Sequence, residues 1–278
     1  MARLQTTDIK PQRDPGAPPL LRADQGPVAV LTLNRPEARN CLSEDLLAAL
    51  RAAIAEIGGS DAIRAIVITG AGSAFSSGHD LKELSSHRGD PDQGKAYFAK
   101  IMDACSRMML SIVRSPKPVI AAVNGIATAA GCQLVATCDL AVASQDARFA
   151  TPGVNIGLFC STPMVALSRN VSRKAAMEML LLGDMVAANE AKELGLVNRV
   201  VKPDETVNAA VELGRKVAEK PKATLKIGKE AFYRQLEMPL ADAYAYTSRV
   251  MTENMLARDA EEGIDAFLEK RAPKWEGE

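Results

Sequence analysis

The sequence predicts an α/β fold built on parallel β-sheet and finished by a helical C-terminal third. Continuous apolar runs rich in β-branched residues, such as VAVLTL at 28–33 and VIAAV at 119–123, read as buried strands. They alternate with stretches of helical periodicity, and strands joined through helices form parallel sheet by right-handed crossovers. From Ser172 onward the pattern is almost wholly helical, apart from one late strand.

Taken in order, residues 1–22 are expected to be a disordered tail, with neither an apolar signal core nor an arginine-rich amphipathic stripe. A spiral core should occupy 23–200 and a helical region 201–278. The strand at Val28–Leu33 stops at Asn34-Arg35-Pro36. Ser43 can cap the helix that follows, whose apolar face is Leu46, Leu50, Ile54 and Ile57. RAIVITG is a second strand, and the loop AGSAFSSGHD leads into Leu81–Leu84. A helix from about Asp92 to Val113 is closed by Pro116 and Pro118.

After the strand Val119–Val123, a small-residue turn runs into a helix starting near Gly131, and LAVA from Leu140 is a fourth strand. AAMEMLLLG and AANEAKELG each end in a glycine suited to a left-handed helix stop. LVNRVV is the late strand. Residues Asp204 to Lys270 then hold three or four helices broken at Pro221 and Pro239. Their apolar surface, with Met238, Tyr244, Tyr246, Met251, Met255 and Phe267, exceeds what one thin layer needs, so part of it should pack on another subunit.

Composition narrows the function. Thirty-four basic residues balance 34 acidic ones, which argues against a nucleic-acid or membrane-surface binder. No apolar run approaches the ~18 residues a bilayer span needs, so no membrane insertion is expected. Five cysteines without a CxxC pair point to a reducing compartment, and no metal site is expected; with only His79 and His87 in the chain, and neither near Cys160 in sequence, an activated Cys160 thiolate is not expected either.

Two loops carry the candidate chemistry. SSGHD (76–80) and ATAAGC (127–132) each follow a strand and open into a helix, which turns backbone amides outward at the positive end of the helix dipole. Such amides can hold a carbonyl oxygen that gains negative charge. Alone, each loop reads first as an ordinary tight turn. Asp80 is placed to cap the helix after its loop.

In their order along the chain, LTLNRPEARN, FSSGHDLKEL, PVIAAVNGIATAAGCQLVATCD, FATPGVNIGL, AMEMLLLGDMVAANEAKELGLVNRVV and EEGIDAFLEKR resemble the enoyl-CoA hydratase/isomerase (crotonase) family from about Val28 to Arg271. FSSGHDLKEL, ATAAGCQL and FATPGVNIGLFCSTP are most similar to the subgroup called enoyl-CoA hydratase domain-containing protein 3. The resemblance implies a spiral of ββα units with a helical C-terminal trimerisation region. It implies a fatty acyl-CoA or enoyl-CoA ligand, no cofactor beyond the coenzyme A of that ligand, and self-association as a trimer or dimer of trimers. The compartment it implies is the cytoplasm, or the mitochondrial matrix in a eukaryote.

The resemblance also assigns residues. The amides of His79 and Ala130 stand at the oxyanion-hole positions, where the family usually has glycine in place of Ala130. Arg39, Lys82 and Lys270 are candidates for the CoA phosphates and ribose, Phe267 for the adenine, and Asp80, Leu81 and Gly131 for the binding-site wall. A side-chain role for His79 as general base is the rival reading.

The two family glutamates that hydration uses fall at Gln133 and Gly153, twenty positions apart as in the family. Glutamine cannot exchange a proton at physiological pH, and glycine has no side chain. Between Asp103 and Glu178 the only acids are Asp139 and Asp146. Each lost proton-transfer group costs roughly 10² to 10⁴ in rate, so hydration should be weak or absent. Asn155, Cys160, Ser161 and Thr162 are expected near the acyl chain. Three classes stay open: a degenerate hydratase or isomerase, an enzyme using the oxyanion hole alone such as a decarboxylase, and a non-catalytic acyl-CoA binder.

Overall fold

The computed structural model describes residues 16–277, so most of the expected tail lies outside the described residues. Its last part differs from expectation: β1, Leu20–Gln25, pairs antiparallel with β2, Val28–Leu33, in register from Leu20↔Leu33 to Gln25↔Val28. LLRADQ lies on a sheet edge with four of its six residues exposed, so its stability comes from its neighbour and no apolar pattern announces it.

The first sheet continues with β3 (Ala65–Gly70), β5 (Val119–Val123), β7 (Leu140–Ser144) and β10 (Arg199–Val201), parallel from β2 onward in the order β1-β2-β3-β5-β7-β10. A second sheet, absent from the sequence reading, is made of β4 (Ala74–Ser76), β6 (Ile126–Thr128), β8 (Arg148–Ala150) and β9 (Val186–Ala187). Strands of two or three residues are too short to display a period. The chain visits the two sheets alternately, β3 then β4, β5 then β6, β7 then β8, which is the ββα spiral. The corners are sharp. A Cβ on Gly70 would lie 2.3 Å from the Ala74 carbonyl oxygen, and one on Gly125 would lie 2.1 Å from that of Ser73.

Alternation along the first sheet divides the core. Ala29, Leu31, Ile66, Ile68 and Ala121 face α1 (Glu44–Gly58), α3 (Lys95–Val113), α4 (Ala130–Thr137) and the second sheet. Val28, Val30, Val67, Ile120 and Val142 face the helix Thr206–Ala218. Between these elements lie α2 (Leu81–Ser86), α5 (Pro163–Leu167), α6 (Arg173–Leu182) and α7 (Ala188–Glu193), so Thr206–Ala218 is α8. Ser43 caps α1 by accepting from the Leu46 amide, as its position predicts.

Four C-terminal helices are present: α8, α9 (Lys222–Gln235), α10 (Leu240–Met255) and α11 (Arg258–Leu268), with Pro221 and Pro239 at the starts of α9 and α10. Lys229 anchors α9. Its ammonium donates to the carbonyls of Ile112 and Lys117 and to Asp139, which also accepts from the Tyr233 hydroxyl. Beyond that anchor, Leu236, Leu240, Tyr244, Met251, Leu256 and Leu268 stand exposed. Among the described residues no helix is long and apolar enough to cross a membrane, and no His, Cys, Asp and Glu group could hold a metal ion.

Candidate functional site

Residues 35–42, between β2 and α1, shape the first loop. Arg39 and Asn40 both take the left-handed conformation, at φ 51° and 53°, which asparagine tolerates better than most residues. Asn40 is fully buried. Its Oδ1 accepts from the Arg35 amide, and its Nδ2 donates to the carbonyls of Ala71 and Ala74. The Ser76 hydroxyl donates to the Asn40 carbonyl, the Ser77 amide to that of Arg39, and the Leu42 amide to that of Gly78 at 2.7 Å. A trans peptide points its carbonyl and its N–H in opposite directions, so the bond from Leu42 turns the His79 N–H away from residue 42.

The second loop meets the first there. A Cβ on Gly78, which has φ 94°, would lie 2.9 Å from the Ala129 Cβ and 3.3 Å from the Ala130 nitrogen. Ala130 opens α4. The first amides of a helix have no intrahelical acceptor, and Gln133 is the residue whose N–H first reaches back, to the Ala129 carbonyl at 3.0 Å. The His79 and Ala130 amides therefore sit on adjoining stretches of backbone. Gly131 serves close packing: a Cβ there would stand 2.2 Å from the Ser76 carbonyl oxygen.

Ala129 is strained, at φ 51° and ψ −119°, a region that suits glycine and costs another residue about 1–3 kcal/mol. Its amide bonds the Ala150 carbonyl at 2.9 Å, which ties the turn to β8. Nothing in the sequence reading singled it out, although a small residue before Ala130 is the available signal.

The side chains around the loops divide sharply. Asp80 caps α2, its Oδ1 accepting from the amides of Lys82 and Glu83, while Oδ2 accepts from Arg35 at 3.0 Å and the Cys41 thiol at 3.2 Å. Burial pushes the Asp80 carboxyl up, but the hydrogen bonds from Cys41, Arg35 and the two amides outweigh it and hold the group below its ordinary range. Both ring nitrogens of His79 are buried without a hydrogen-bond partner. Burial lowers the His79 pKa, opposed by the nearby Leu42 backbone, so the neutral ring is favoured. A neutral ring whose nitrogens have no hydrogen-bond partner in the chain has no group that orients or relays its proton, which disfavours the general-base reading.

Gln133 is only 5 % exposed, and its Oε1 is buried with no partner. Gly153 lies in the single-turn helix Pro152–Ile156, and a Cβ there would stand 2.7 Å from the Leu158 carbonyl oxygen and 2.9 Å from the Cys160 sulfur. The space a side chain at 153 would need is occupied, partly by backbone. Burial raises the Cys160 thiol pKa, opposed by the Gly153 backbone, so Cys160 is a filler rather than an activated nucleophile. Thr162 is half-buried, whereas Asn155 and Ser161 are exposed.

Arg39, Leu81 and Lys82 are exposed beside the first loop. Phe267 and Lys270 are not drawn into this cluster: α11 packs on α10, and Phe267, 82 % exposed, helps line a cleft of about 530 Å³ with Met251, Met255 and Ile264. Sequence reasoning missed the supports, Arg35, Asn40 and Ala129, because each acts through a partner distant in the chain, Asp80, Ala71 and Ala74, and Ala150; it also missed Leu158, which meets Gly153 through a turn that carries no sequence period.

Comparison with known proteins bears on this geometry as a whole. Residues 23–278 match the family model described as enoyl-CoA hydratase/isomerase. The chain is 47% identical over 248 residues to human enoyl-CoA hydratase domain-containing protein 3, mitochondrial, covering 89% of this chain and 80% of that protein. It is 34% identical to the short-chain-enoyl-CoA hydratase of Clostridium acetobutylicum, over 89% of this chain and 93% of that one. Its fold superposes on the crystal structure of an enoyl-CoA hydratase from Mycobacterium smegmatis with a TM-score of 0.88 at 52% identity, covering 93% of this chain and 99% of that one.

Proposed function

The chain belongs to the enoyl-CoA hydratase/isomerase family, and on that premise we propose that it binds a fatty acyl-CoA or enoyl-CoA thioester while lacking the acid–base pair that hydration requires. The thioester carbonyl accepts hydrogen bonds from the His79 and Ala130 amides, donors held by backbone geometry and independent of any glutamate. Exposed Arg39 and Lys82 meet phosphate oxygens through charge-assisted bonds. Self-association through the apolar surface of α9 to α11, as a trimer or dimer of trimers, would bring Phe267 and Lys270 to a neighbour's ligand. A place in fatty-acid metabolism, in the cytoplasm or the mitochondrial matrix of a eukaryote, follows from the same premise.

The observation that carries the reading is the contrast at the two family glutamate positions. Gln133 keeps a polar side chain that cannot exchange a proton, and the space beside Gly153 is filled by the Leu158 carbonyl and the Cys160 sulfur. Hydration needs a base at the water and an acid at the α-carbon, and neither position supplies one.

Two measurements test it. Calorimetry with a non-reactive acyl-CoA is expected to detect binding, and a spectrophotometric assay with crotonyl-CoA is expected to find little hydration. Turnover in the ordinary range of ~1 to 10³ per second would overturn the second half. Absence of heat at millimolar ligand would overturn the first. Gln133→Glu is the variant to assay for regained proton transfer, since Gly153→Glu meets backbone before it reaches any substrate.

A further inference from the structure

Arg35 spans the two chain segments whose pairing orients the His79 amide. Its Nη1 donates to the Cys41 carbonyl at 3.0 Å and to the Cys41 sulfur at 3.2 Å, while Nη2 donates to Asp80 Oδ2 at 3.0 Å. Residues 41 and 80 flank the bond from the Leu42 amide to the Gly78 carbonyl, the bond that turns the His79 N–H away from residue 42. The Arg35 side chain is 18% exposed and that of Asp80 10%, so the pair is largely shielded from water and from salt.

We infer that Arg35 is a positioning residue for the His79 amide: its planar guanidinium clips residue 41 to residue 80 and so holds the donor's direction. The inference rests on the oxyanion role proposed above for that amide. The guanidinium bonds lie within the chain, to Cys41 and Asp80. Its backbone adds to the device, because the Arg35 amide donates to Asn40 Oδ1 and the Asn40 amide returns a bond to the Arg35 carbonyl. A lysine in its place keeps the charge yet loses the fork that reaches a carbonyl and a carboxylate at once.

The readout must report the carbonyl and not merely the fold. A cinnamoyl-CoA carrying a para-amino donor absorbs further to the red as its thioester carbonyl is polarised by hydrogen bonds. With Arg35→Lys, folded as judged by circular dichroism, the red shift on binding is expected to fall by more than half. Affinity should change by less than about tenfold, the size of one neutral hydrogen bond. Asp80→Asn keeps an oxygen for the helix cap and loses the charged partner, so it is expected to lose the shift in the same way and carries the test if Arg35→Lys does not fold. An undiminished shift in either folded variant overturns the positioning role and leaves the binding function standing. Failure of the unaltered protein to bind the probe overturns the binding function together with the inference, and binding without a red shift overturns the oxyanion role and the inference with it.

Discussion

At the base of α9, Asp139 accepts from the Val119 amide, from Lys229 and from the Tyr233 hydroxyl, and Lys229 donates to two carbonyls besides. At the start of α4, by contrast, Gln133 Oε1 and both His79 nitrogens have no partner and Ala129 holds a strained conformation. Both clusters are polar and largely shielded from water. The first is closed within the chain and accounts for itself as an anchor for the C-terminal helices. The second gives up stability at several atoms, and the proposed ligand site lies beside them.

The largest effect should fall on the closed cluster. Lys229→Met strands the Asp139 carboxylate beside α9 and is expected to destabilise the protein by about 3–5 kcal/mol in urea unfolding. A loss under ~1 kcal/mol would break the comparison by showing the anchor to be open to water.

Gly153→Ala sharpens it from the other side. The new methyl has the Leu158 carbonyl 2.7 Å away, so a cost of about 1–3 kcal/mol is expected by the same measurement. No cost would mean that the Leu158 to Cys160 segment yields readily, and that a carboxylate at 153 is admissible after all.

Substitutions at the open cluster should have the opposite sign. Gln133→Met removes the orphaned oxygen at similar volume and should raise stability by about 1 kcal/mol, while Ala129→Gly relieves the positive φ for a gain of similar or smaller size. Thermal unfolding of the two variants beside the parent decides it. Destabilisation by both would remove the contrast between the clusters.

The smallest effect is a pH dependence. The folded His79 pKa lies below the ordinary value of 6.5, so on acidification the unfolded chain takes up a proton that the folded chain refuses. Stability from this group is therefore full above about pH 6.5 and declines below it, levelling once pH passes the lowered folded pKa. Unfolding midpoints between pH 7 and pH 5 should fall more for the parent than for His79→Leu. Parallel curves would show that the ring finds a partner in solution.

Which of these features was legible in advance follows their reach along the chain. The strands of the first sheet from β2 onward, the Ser43 cap, the Asp80 cap and the prolines that start α9 and α10 were all readable, because a strand period, a helix cap or a fixed φ acts within a few residues. The first half of the β1 edge strand, Leu20 to Arg22, falls in the stretch the sequence marks as tail, and the second sheet leaves no mark in the sequence. An edge strand borrows its stability from a neighbour, and a three-residue strand carries no period.

For the site, the sequence by itself determined the residue types: an amide at 79 and one at 130, glutamine at 133, glycine at 153, and motifs in an order that marks the family. Tertiary structure alone decided how those groups stand. It set the direction of the His79 N–H through a bond from Leu42, placed Leu158 and Cys160 in the space beside Gly153, and imposed the strain on Ala129. The physical reason is that the direction of the His79 N–H and the strain on Ala129 depend on chain segments separated by many residues, which meet only once the spiral has closed, while Leu158 and Cys160 reach Gly153 through an irregular turn that no sequence period marks.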